Sequence, residues 1–332
     1  MPATATRPSV LAASLERRRF DDIRQLIASP ANPTPLVRLN RVAPATPSQF
    51  FLKLEWLNPF GSIKDRTAHY LLKGLAERGQ LDGKSLVEPS SGNTGIALAA
   101  LAALADKKIV VTIPDGVPDE KKVLLRMLGA EVWPTPDDLC PINHPKDGAI
   151  ALAHSFVTGA ATKDRYVMPN QYENPDNVRA HYETTGPEIW QQTEGRVKYF
   201  FAGYGTCGTI TGVAKYLKEQ NPSIQVIAIE PQKGHRIPGL KNFKEAKQPA
   251  ILDAKLVDHV IHVDDEPAYA ATKRLFRQEG LIVGPSTGAI VHGALEFLAQ
   301  NEGIAVGISP DGGFKYASFF TDCLGDEGLP AE

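Results

Sequence analysis

The sequence has 332 residues, with 36 Lys or Arg, 38 Asp or Glu and a formal net charge of −2. Because the two signs nearly balance and form no long run, composition does not favour nucleic acid or an anionic membrane, and small molecules are the expected partners. Single domains usually hold about 100–200 residues, so two domains sharing one cleft are expected.

The chain carries no sign of a disulfide framework, a membrane span or a secretion signal. Its cysteines, Cys140, Cys207 and Cys323, are too scattered for disulfides or a paired-cysteine metal site, which is typical of a reducing cytoplasm. The basic stretch 1–20 is interpreted as an arm, because its apolar patch is too short for a signal peptide. The apolar run 96–105 is shorter than a membrane span of about 18 residues. A soluble cytoplasmic protein is expected.

Short β-branched runs alternate along the chain with longer helical patterns. This alternation is typical of βαβ units and of a parallel sheet covered by helices on both faces, so it predicts an α/β fold. A domain change is expected near residues 166–171, after an irregular Pro-rich excursion at 134–145. The predicted strands are 51–55, 85–88, 109–113, 197–202, 225–230, 259–263 and 305–308. The predicted helices are 63–78, 94–105, 119–128, 177–192, 209–219 and 268–279.

The first candidate site is the run from Asn58 to Arg66, where a Pro/Gly loop leads into a helix. Ser62 is predicted as the N-cap, with Asp65 completing a box-like cap. Lys64 then lies in the first turn, where the helix macrodipole disfavours an ammonium. A lowered pKa is what an imine-forming lysine needs, although a solvated lysine at a helix start fits the same local pattern.

The second candidate site is the loop from Glu88 to Gly95, between a strand and the Ala-rich helix. Hydroxyl, amide and free backbone N–H groups converge there, as they do at helix N-termini that bind anions. Since the loop contains no lysine or arginine, it suits a small carboxylate held by neutral donors. An ordinary capping loop remains the alternative.

The third candidate site is the glycine loop from Gly203 to Thr209, again between a strand and a helix. Its glycines let the backbone approach a phosphate, and Thr206 and Thr209 add hydroxyl donors. The loop also fits the dinucleotide pattern G-x-G-x-x-G, with Glu230 placed where a ribose-binding acid would lie. A mononucleotide-like phosphate and the pyrophosphate of an NAD-dependent dehydrogenase therefore both remain open.

A fourth segment, Gly284 to Gly288, is by itself interpreted as a tight turn before a helix. In order, spacing and content, the four segments resemble the cysteine synthase and cystathionine β-synthase family, which are fold type II (β-family) pyridoxal-phosphate enzymes. The resemblance runs from about residue 32 to 318 and includes the stretch 184–189. It implies two domains, each with a twisted, mainly parallel sheet covered by helices, and an active site in the cleft between them. The domain limits expected from it are an N-terminal arm and a segment packing on the larger domain at 1–50, a smaller domain at 51–167 and a larger one at 168–332.

The resemblance also implies a role for each motif residue. Lys64 would carry pyridoxal phosphate as a Schiff base and later move the α-proton, Asn93 would bond the ring oxygen, and Ser286 would face the pyridine nitrogen. Cys207 departs from the glycine that many relatives carry in the phosphate loop. The phosphate would be held by Gly205, Thr206, Cys207, Gly208 and Thr209. The substrate carboxylate would be held by Ser90, Ser91, Thr94 and Gln171.

The implied reaction is β-replacement on a serine derivative, O-acetylserine or O-phosphoserine, through an aminoacrylate, with sulfide or another thiol giving cysteine. A neutral hydroxyl at Ser286 does not enforce ring protonation, which favours elimination of a β-substituent. Cystathionine formation and an amine nucleophile remain alternatives; dehydration and a non-catalytic binding module are less favoured.

The run 234–242 resembles the loop of the O-phosphoserine-using branch. Lys241, clustered with Arg236, is therefore a candidate phosphate ligand, with a solvated basic loop as the alternative. A homodimer without metal is expected.

Overall fold

The computed structural model describes residues 19–43, 48–136 and 148–324. Cys140, most of the predicted arm and most of the predicted excursion lie outside the described residues, as does the side chain of Cys323. Within the described ranges, no helix combines the length and the apolar character needed to cross a membrane.

Two sheets organise the described chain, which confirms the predicted α/β class. In the six-stranded sheet, in spatial order β1-β2-β10-β7-β8-β9, only the β1–β2 pair is antiparallel. The four-stranded sheet has the order β5-β4-β3-β6, and all its pairs are parallel. The strands are β1 (Leu36–Arg38), β2 (Gln49–Leu54), β3 (Ser85–Pro89), β4 (Ile109–Pro114), β5 (Glu131–Thr135), β6 (Tyr166–Val167), β7 (Val197–Gly203), β8 (Gln225–Pro231), β9 (His259–Val263) and β10 (Ile304–Ser309).

Helices connect most of the parallel strands. The α-helices are α1 (Lys64–Glu77), α2 (Asn93–Leu104), α3 (Asp119–Met127), α4 (Gly148–Thr158), α5 (Asp176–Ala180), α6 (Gly186–Gln192), α7 (Gly208–Gln220), α8 (Asp265–Arg274), α9 (Pro285–Leu298) and α10 (Ala317–Leu324). Two predicted helices contain a π-helical turn, His181–Thr185 before α6 and Leu275–Glu279 after α8. Shorter 3-10 turns occur at Ile23–Leu26, Glu55–Leu57, Ala254–Leu256 and Gly313–Tyr316.

The three strands that the sequence pattern missed all lie at sheet edges. β1 has three residues and β6 has two, which is too short for an alternating pattern to be recognised. β5 contains Pro134, a residue that sheets tolerate at edges because it cannot donate a ladder hydrogen bond. The seven predicted strands match observed ones, with ends that differ by at most two residues.

The two faces of the six-stranded sheet bury separate apolar clusters. One cluster joins Leu52, Phe201 and Ile229 to residues of α9, and the other joins Phe200, Val226 and Val306 to residues of α7. The Ala-rich helix α2 packs in a third cluster with the four-stranded sheet, and nine of its residues are buried. Its apolar run is therefore core rather than membrane span, since small side chains let it lie close to its neighbours.

The carboxyl ends of β3, β7 and β10 lead into the loops that begin at Ser90, Tyr204 and Pro310. In open α/β sheets, ligands bind outside the carboxyl ends of the strands, so these three loops define the expected site. The predicted limits of the two domains stay a prediction. Strand β2, at the start of the predicted smaller domain, pairs with β10 in the six-stranded sheet.

Candidate active site

A cleft of about 590 Å³ collects residues from the first three candidate sites. Beside it lies a smaller cavity of about 80 Å³, and Lys64 and Asn93 line both. Of the predicted residues, the cleft is lined by Lys64, Ser90, Ser91, Asn93, Thr94, Gln171, Gly205, Thr206 and Lys241. The small cavity is lined by Lys64, Asn93, Gly205, Thr206, Cys207, Thr209 and Ser286.

The lysine motif begins α1 one residue later than predicted. Ile63, not Ser62, precedes the first helical residue, so Ser62 is not the N-cap. The Ser62 hydroxyl still accepts from the Lys64 N–H at 3.2 Å. Asp65 reaches back to the N–H of Phe60 at 2.6 Å, which fixes the turn before the helix. Lys64 is therefore the first residue of α1, held by local hydrogen bonds on both sides.

The amine of Lys64 points toward the glycine loop. Its Nζ lies 3.3 Å from the hydroxyl of Thr206, although the two residues are 142 positions apart in the sequence. Burial lowers the pKa of Lys64 to about 8, against the attraction of Cys207 and Asp311. The predicted direction of the shift is thus found, but its cause is burial rather than the helix macrodipole alone.

The carboxylate loop is held by its own side chains. The Ser90 hydroxyl accepts from the N–H groups of Gly92 at 3.3 Å and Gly95 at 2.9 Å, so it caps the start of α2. Thr94 donates to the side-chain oxygen of Gln171 at 2.5 Å. Ser91 is exposed at the mouth of the cleft. The structure thus shows the capping function of this loop, and anion binding by the loop stays a prediction.

Glu88 fixes Gln171 from below the loop. Its carboxylate accepts from the N–H groups of Asn170 at 2.8 Å and Gln171 at 3.0 Å. Burial raises the pKa of Glu88 to about 7 despite these two hydrogen bonds. The segment that carries Gln171 is therefore anchored to the end of β3, beside the carboxylate loop.

The glycine loop starts α7 without a capping side chain. Cys207 adopts a left-handed conformation with φ of 67°, and the helix begins at the next residue, Gly208. The first N–H groups of α7 are thus left for a ligand. Gly208 lines neither cavity, because its α-carbon packs against Asn177, with which any side chain would collide. Cys207 is only 4% exposed, and burial raises the pKa of its thiol to about 12, so the thiol is protonated and shielded from oxidants.

Two buried residues that sequence analysis missed orient the hydroxyls of this loop. Asn177 donates to Thr206 Oγ1 at 3.2 Å, and the Nε2 atom of His181 lies 3.2 Å from Thr209 Oγ1. Burial, together with the charges of Lys64 and Arg66, lowers the pKa of His181 to about 3. The imidazole is therefore neutral. Both residues follow the Asn174-Pro175 turn and carried no local signal of a site.

A carboxylate from the last strand loop also faces the small cavity. Asp311 Oδ2 accepts from Asn93 Nδ2 at 2.7 Å and from the Tyr316 hydroxyl at 2.5 Å. Its other oxygen, Oδ1, is buried without a hydrogen-bond partner among the described residues. Lys315 donates to Asn93 Oδ1 at 3.1 Å and to the carbonyl of Gly61 at 3.1 Å. Sequence analysis assigned no site role to this cluster.

The fourth segment is partly a packing motif. Ser286 is in the first turn of α9, is 4% exposed and lines the small cavity. Gly288 lies against α8, where a side chain would collide with Thr272 and the carbonyl of Ala268. Its small size therefore serves helix packing, while Ser286 faces the cavity.

The cleft carries positive charge. Lys64, Lys121, Lys241 and Lys315 line it, whereas no Asp or Glu does so among the described residues. Arg236, which the sequence clustered with Lys241, is exposed and does not line the cleft. The structure thus does not bring Arg236 to the cleft beside Lys241, and the role of Lys241 as a phosphate ligand stays a prediction. The described residues also contain no group of three or more side chains that could hold a metal.

Glu230 does not serve as a ribose-binding acid. Its carboxylate accepts from the N–H of Phe243 at 2.8 Å and lies 3.2 Å from His262 Nδ1, and the residue is 7% exposed. Both carboxylate oxygens are thus engaged by the protein, and the side chain is buried, which does not suit a ribose-binding acid.

Comparisons with known proteins agree with this geometry. Residues 27–309 match the family described as pyridoxal-phosphate dependent enzyme. Cysteine synthase B of Escherichia coli K12 is 38% identical over 296 residues, covering 89% of this chain and 94% of that protein. Cystathionine beta-synthase of Apis mellifera is 35% identical over 303 residues, covering 86% of this chain and 59% of that protein. The crystal structure of O-ureido-L-serine synthase superposes with a TM-score of 0.83 at 30% identity, covering 94% of this chain and 97% of that one.

Proposed function

Because the chain belongs to the family of pyridoxal-phosphate dependent enzymes, we propose that it performs β-replacement on an O-activated serine and forms cysteine. The dehydrogenase alternative is wrong, since this family and the engaged carboxylate of Glu230 both contradict it. The observation that carries the proposal is the meeting of Lys64 with the carboxylate loop and the glycine loop in one cleft.

The residues present fit pyridoxal phosphate. The N–H groups at the start of α7 and the hydroxyls of Thr206 and Thr209 form a donor set for a phosphate. A side chain at Gly205 would come within 2.8 Å of the Gly239 carbonyl, so this close loop geometry requires glycine there. Ser286, the Asn93 amide and Asp311 Oδ1, which has no partner among the described residues, supply polar groups for a heteroaromatic ring.

When bound, the cofactor supplies the electron sink that acidifies the α-proton and lets a β-substituent leave. Lys64 would hold the cofactor and then take and return a proton. An amine with a pKa of about 8 suits this role, because it exchanges protons near neutral pH. Gln171 would present its remaining Nε2 N–H to the substrate carboxylate, and Thr94, whose hydroxyl now donates to Gln171 Oε1, would turn that hydroxyl to the carboxylate on binding. The neutral His181 would keep the Thr209 hydroxyl aimed at the phosphate.

The leaving group of the donor is proposed to interact with Lys241. Its ammonium lies 5.3 Å from the centroid of the Tyr172 ring, at the wall of the cleft. No ion pair within the described ranges engages Lys241, so its charge is available to an anionic β-substituent such as a phosphate. If Lys241→Ala reduces turnover of O-phosphoserine and O-acetylserine equally or not at all, this assignment is wrong.

The function is tested with purified protein, sulfide and three donors in separate assays: O-acetylserine, O-phosphoserine and serine. We expect a visible absorbance from bound cofactor that changes on addition of the preferred donor, and cysteine as the product with sulfide. Replacing sulfide by homocysteine or an amine tests the alternative nucleophiles. A protein that neither binds pyridoxal phosphate nor forms any β-replacement product would contradict the proposal.

The assembly is proposed to be a homodimer, on the strength of the family resemblance alone. Light scattering of the holoenzyme would give twice the mass of the chain if this is correct. A mass equal to that of one chain would contradict it.

A further inference from the structure

A lysine outside every predicted motif lies beside the carboxylate loop. Lys121 is in the first turn of α3, yet it is only 9% exposed and lines the cleft. Its ammonium is the nearest atom to the position that a side chain on Gly92 would occupy, at 3.9 Å. The loop from Glu88 to Gly95 contains no lysine or arginine of its own. A helix about 30 residues further along the chain therefore supplies the positive charge beside it.

The charge of Lys121 is held in place but not neutralised. Its ammonium lies 4.7 Å from the centroid of the Tyr316 ring, a cation–π contact that fixes the position and leaves the charge unpaired. No ion pair of the described ranges includes Lys121, and Asp311 attracts it only from beyond ion-pair distance. The first turn of a helix is also the end where the macrodipole disfavours a cation.

A buried and unpaired ammonium costs free energy unless an anion arrives to compensate it. The neighbouring lysine of the same helix shows the contrast. Lys122 forms ion pairs with Asp115 at 3.2 Å and Asp119 at 3.3 Å, so its charge is already used within the protein. Two adjacent lysines thus have different environments, and only Lys121 faces a cavity without acidic residues.

We propose that Lys121 is a specificity-determining residue that binds the α-carboxylate of the amino-acid substrate, together with the neutral donors of the loop from Ser90 to Thr94. This inference rests on the proposed amino-acid donor and assigns the charge that recognises it. The α-carboxylate is favoured over a side-chain anion because Lys121 lies against Gly92, inside the carboxylate loop. Lys241 lies beside Tyr172 at another part of the cleft wall.

The test measures ligand binding to the holoenzyme rather than turnover. The ligands are L-alanine, with no charged side chain, and L-2-amino-4-phosphonobutyrate, which keeps a phosphoserine-like charge on a bond that cannot break. Calorimetry gives the Kd of each ligand for wild type, Lys121→Gln, Lys121→Arg and the matched control Lys122→Gln. Thermal unfolding of every variant checks that the fold is retained.

In Lys121→Gln, the Kd of both ligands should rise by the same factor, about 10-fold to 100-fold, because both carry an α-carboxylate. Lys121→Arg should recover most of the affinity, and Lys122→Gln should bind like wild type. Weakening of the phosphonate alone would assign Lys121 to the side-chain anion and overturn the inference. Unchanged binding of both ligands would also overturn it. Since none of these values requires cysteine formation, failure of the proposed function and failure of this inference are separate outcomes.

Discussion

Two clusters of charged residues lie near the start of α1, and they differ in the balance between positive and negative charge. The first, the ion quartet, consists of Lys53, Glu55, Arg66 and Glu188, whose side chains are all fully buried. The second, the cleft cluster, consists of Lys64, Lys121, Lys315 and Asp311. The quartet has two charges of each sign, whereas the cleft cluster has three cations against one anion.

The quartet is closed by direct contacts. Lys53 Nζ lies 2.6 Å from Glu188, Arg66 lies 2.7 Å from Glu55, and Arg66 also pairs with Glu188. Burial alone would raise the pKa of Glu55, but Arg66 outweighs it and holds that pKa at about 2. The quartet therefore fixes the helix that carries Lys64 to β2 and α6, whereas the cleft cluster leaves its charge for ligands. In this molecule, a balanced buried cluster indicates structure and an unbalanced one indicates a site.

The largest effect should come from removing Lys64. Lys64→Ala should reduce the rate of cysteine formation by about a thousandfold or more, because both the cofactor attachment and the proton transfer depend on this amine. Stability should change little, since no ion pair in the described ranges includes Lys64 and only its contact with Thr206 is lost. Steady-state assays and mass analysis after borohydride reduction measure the two functions. Lys73→Ala, an exposed position on the same helix, is the matched control and should keep full activity. Retention of activity within tenfold in Lys64→Ala would contradict the assignment.

Substitution of a quartet residue should lower the free energy of unfolding. Glu188→Ala leaves Arg66 and Lys53 with one carboxylate for two buried cations, and it should lower the free energy of unfolding by about 3–5 kcal/mol. Urea unfolding of the apo-protein measures the change. Glu183→Ala breaks an exposed pair with Arg179 nearby and should cost less than about 1 kcal/mol. Equal decreases in the free energy of unfolding of the two variants would mean that burial does not determine how much the quartet contributes to stability.

These clusters also show what sequence can and cannot predict about the fold and the site. Local runs predicted seven strands, the lysine helix and the loops that meet in the cleft, because each depends on residues adjacent in the chain. Arg66 and Glu188 each lay inside a motif, but no local pattern indicates that they pair across 122 residues. Lys121 follows Asp119 and Glu120 in a run typical of an exposed helix start, and only tertiary packing against Tyr316 buries it.

His181 is repelled by one cation of each cluster, Lys64 and Arg66, and should add a pH dependence to stability. Its pKa of about 3 in the folded protein is far below the unfolded value of 6.5, with repulsion from Lys64 and Arg66 adding to burial. As pH falls below 6.5, His181 binds a proton in the unfolded chain but stays neutral in the folded protein, so the free energy of unfolding decreases. The loss by pH 5 should be about 2 kcal/mol from this residue.

His181→Gln removes the titrating group while keeping an amide near the hydroxyls of Thr67 and Thr209. The difference in unfolding free energy between pH 7.5 and pH 5 should then shrink by about 2 kcal/mol relative to wild type. Urea titrations at the two pH values measure it. A variant with the same pH dependence as wild type would show that the imidazole is protonated in the folded protein.

The smallest expected effect concerns the one anion of the cleft cluster. Asp311→Asn keeps an oxygen to accept from Asn93 and Tyr316. Its amide replaces Oδ1, which has no hydrogen-bond partner in the described part of the chain, so no bond is lost and the fold should be retained. Because the charge of Asp311 raises the pKa of Lys64, its loss should lower that pKa below about 8, by about one unit or less. The rate at which apo-protein takes up pyridoxal phosphate depends on the neutral amine, so its pH midpoint should move to lower pH. A midpoint that moves to higher pH would mean that Asp311 acts on Lys64 through position rather than charge. The contrast between the balanced and unbalanced clusters would then no longer explain the reactivity of this lysine.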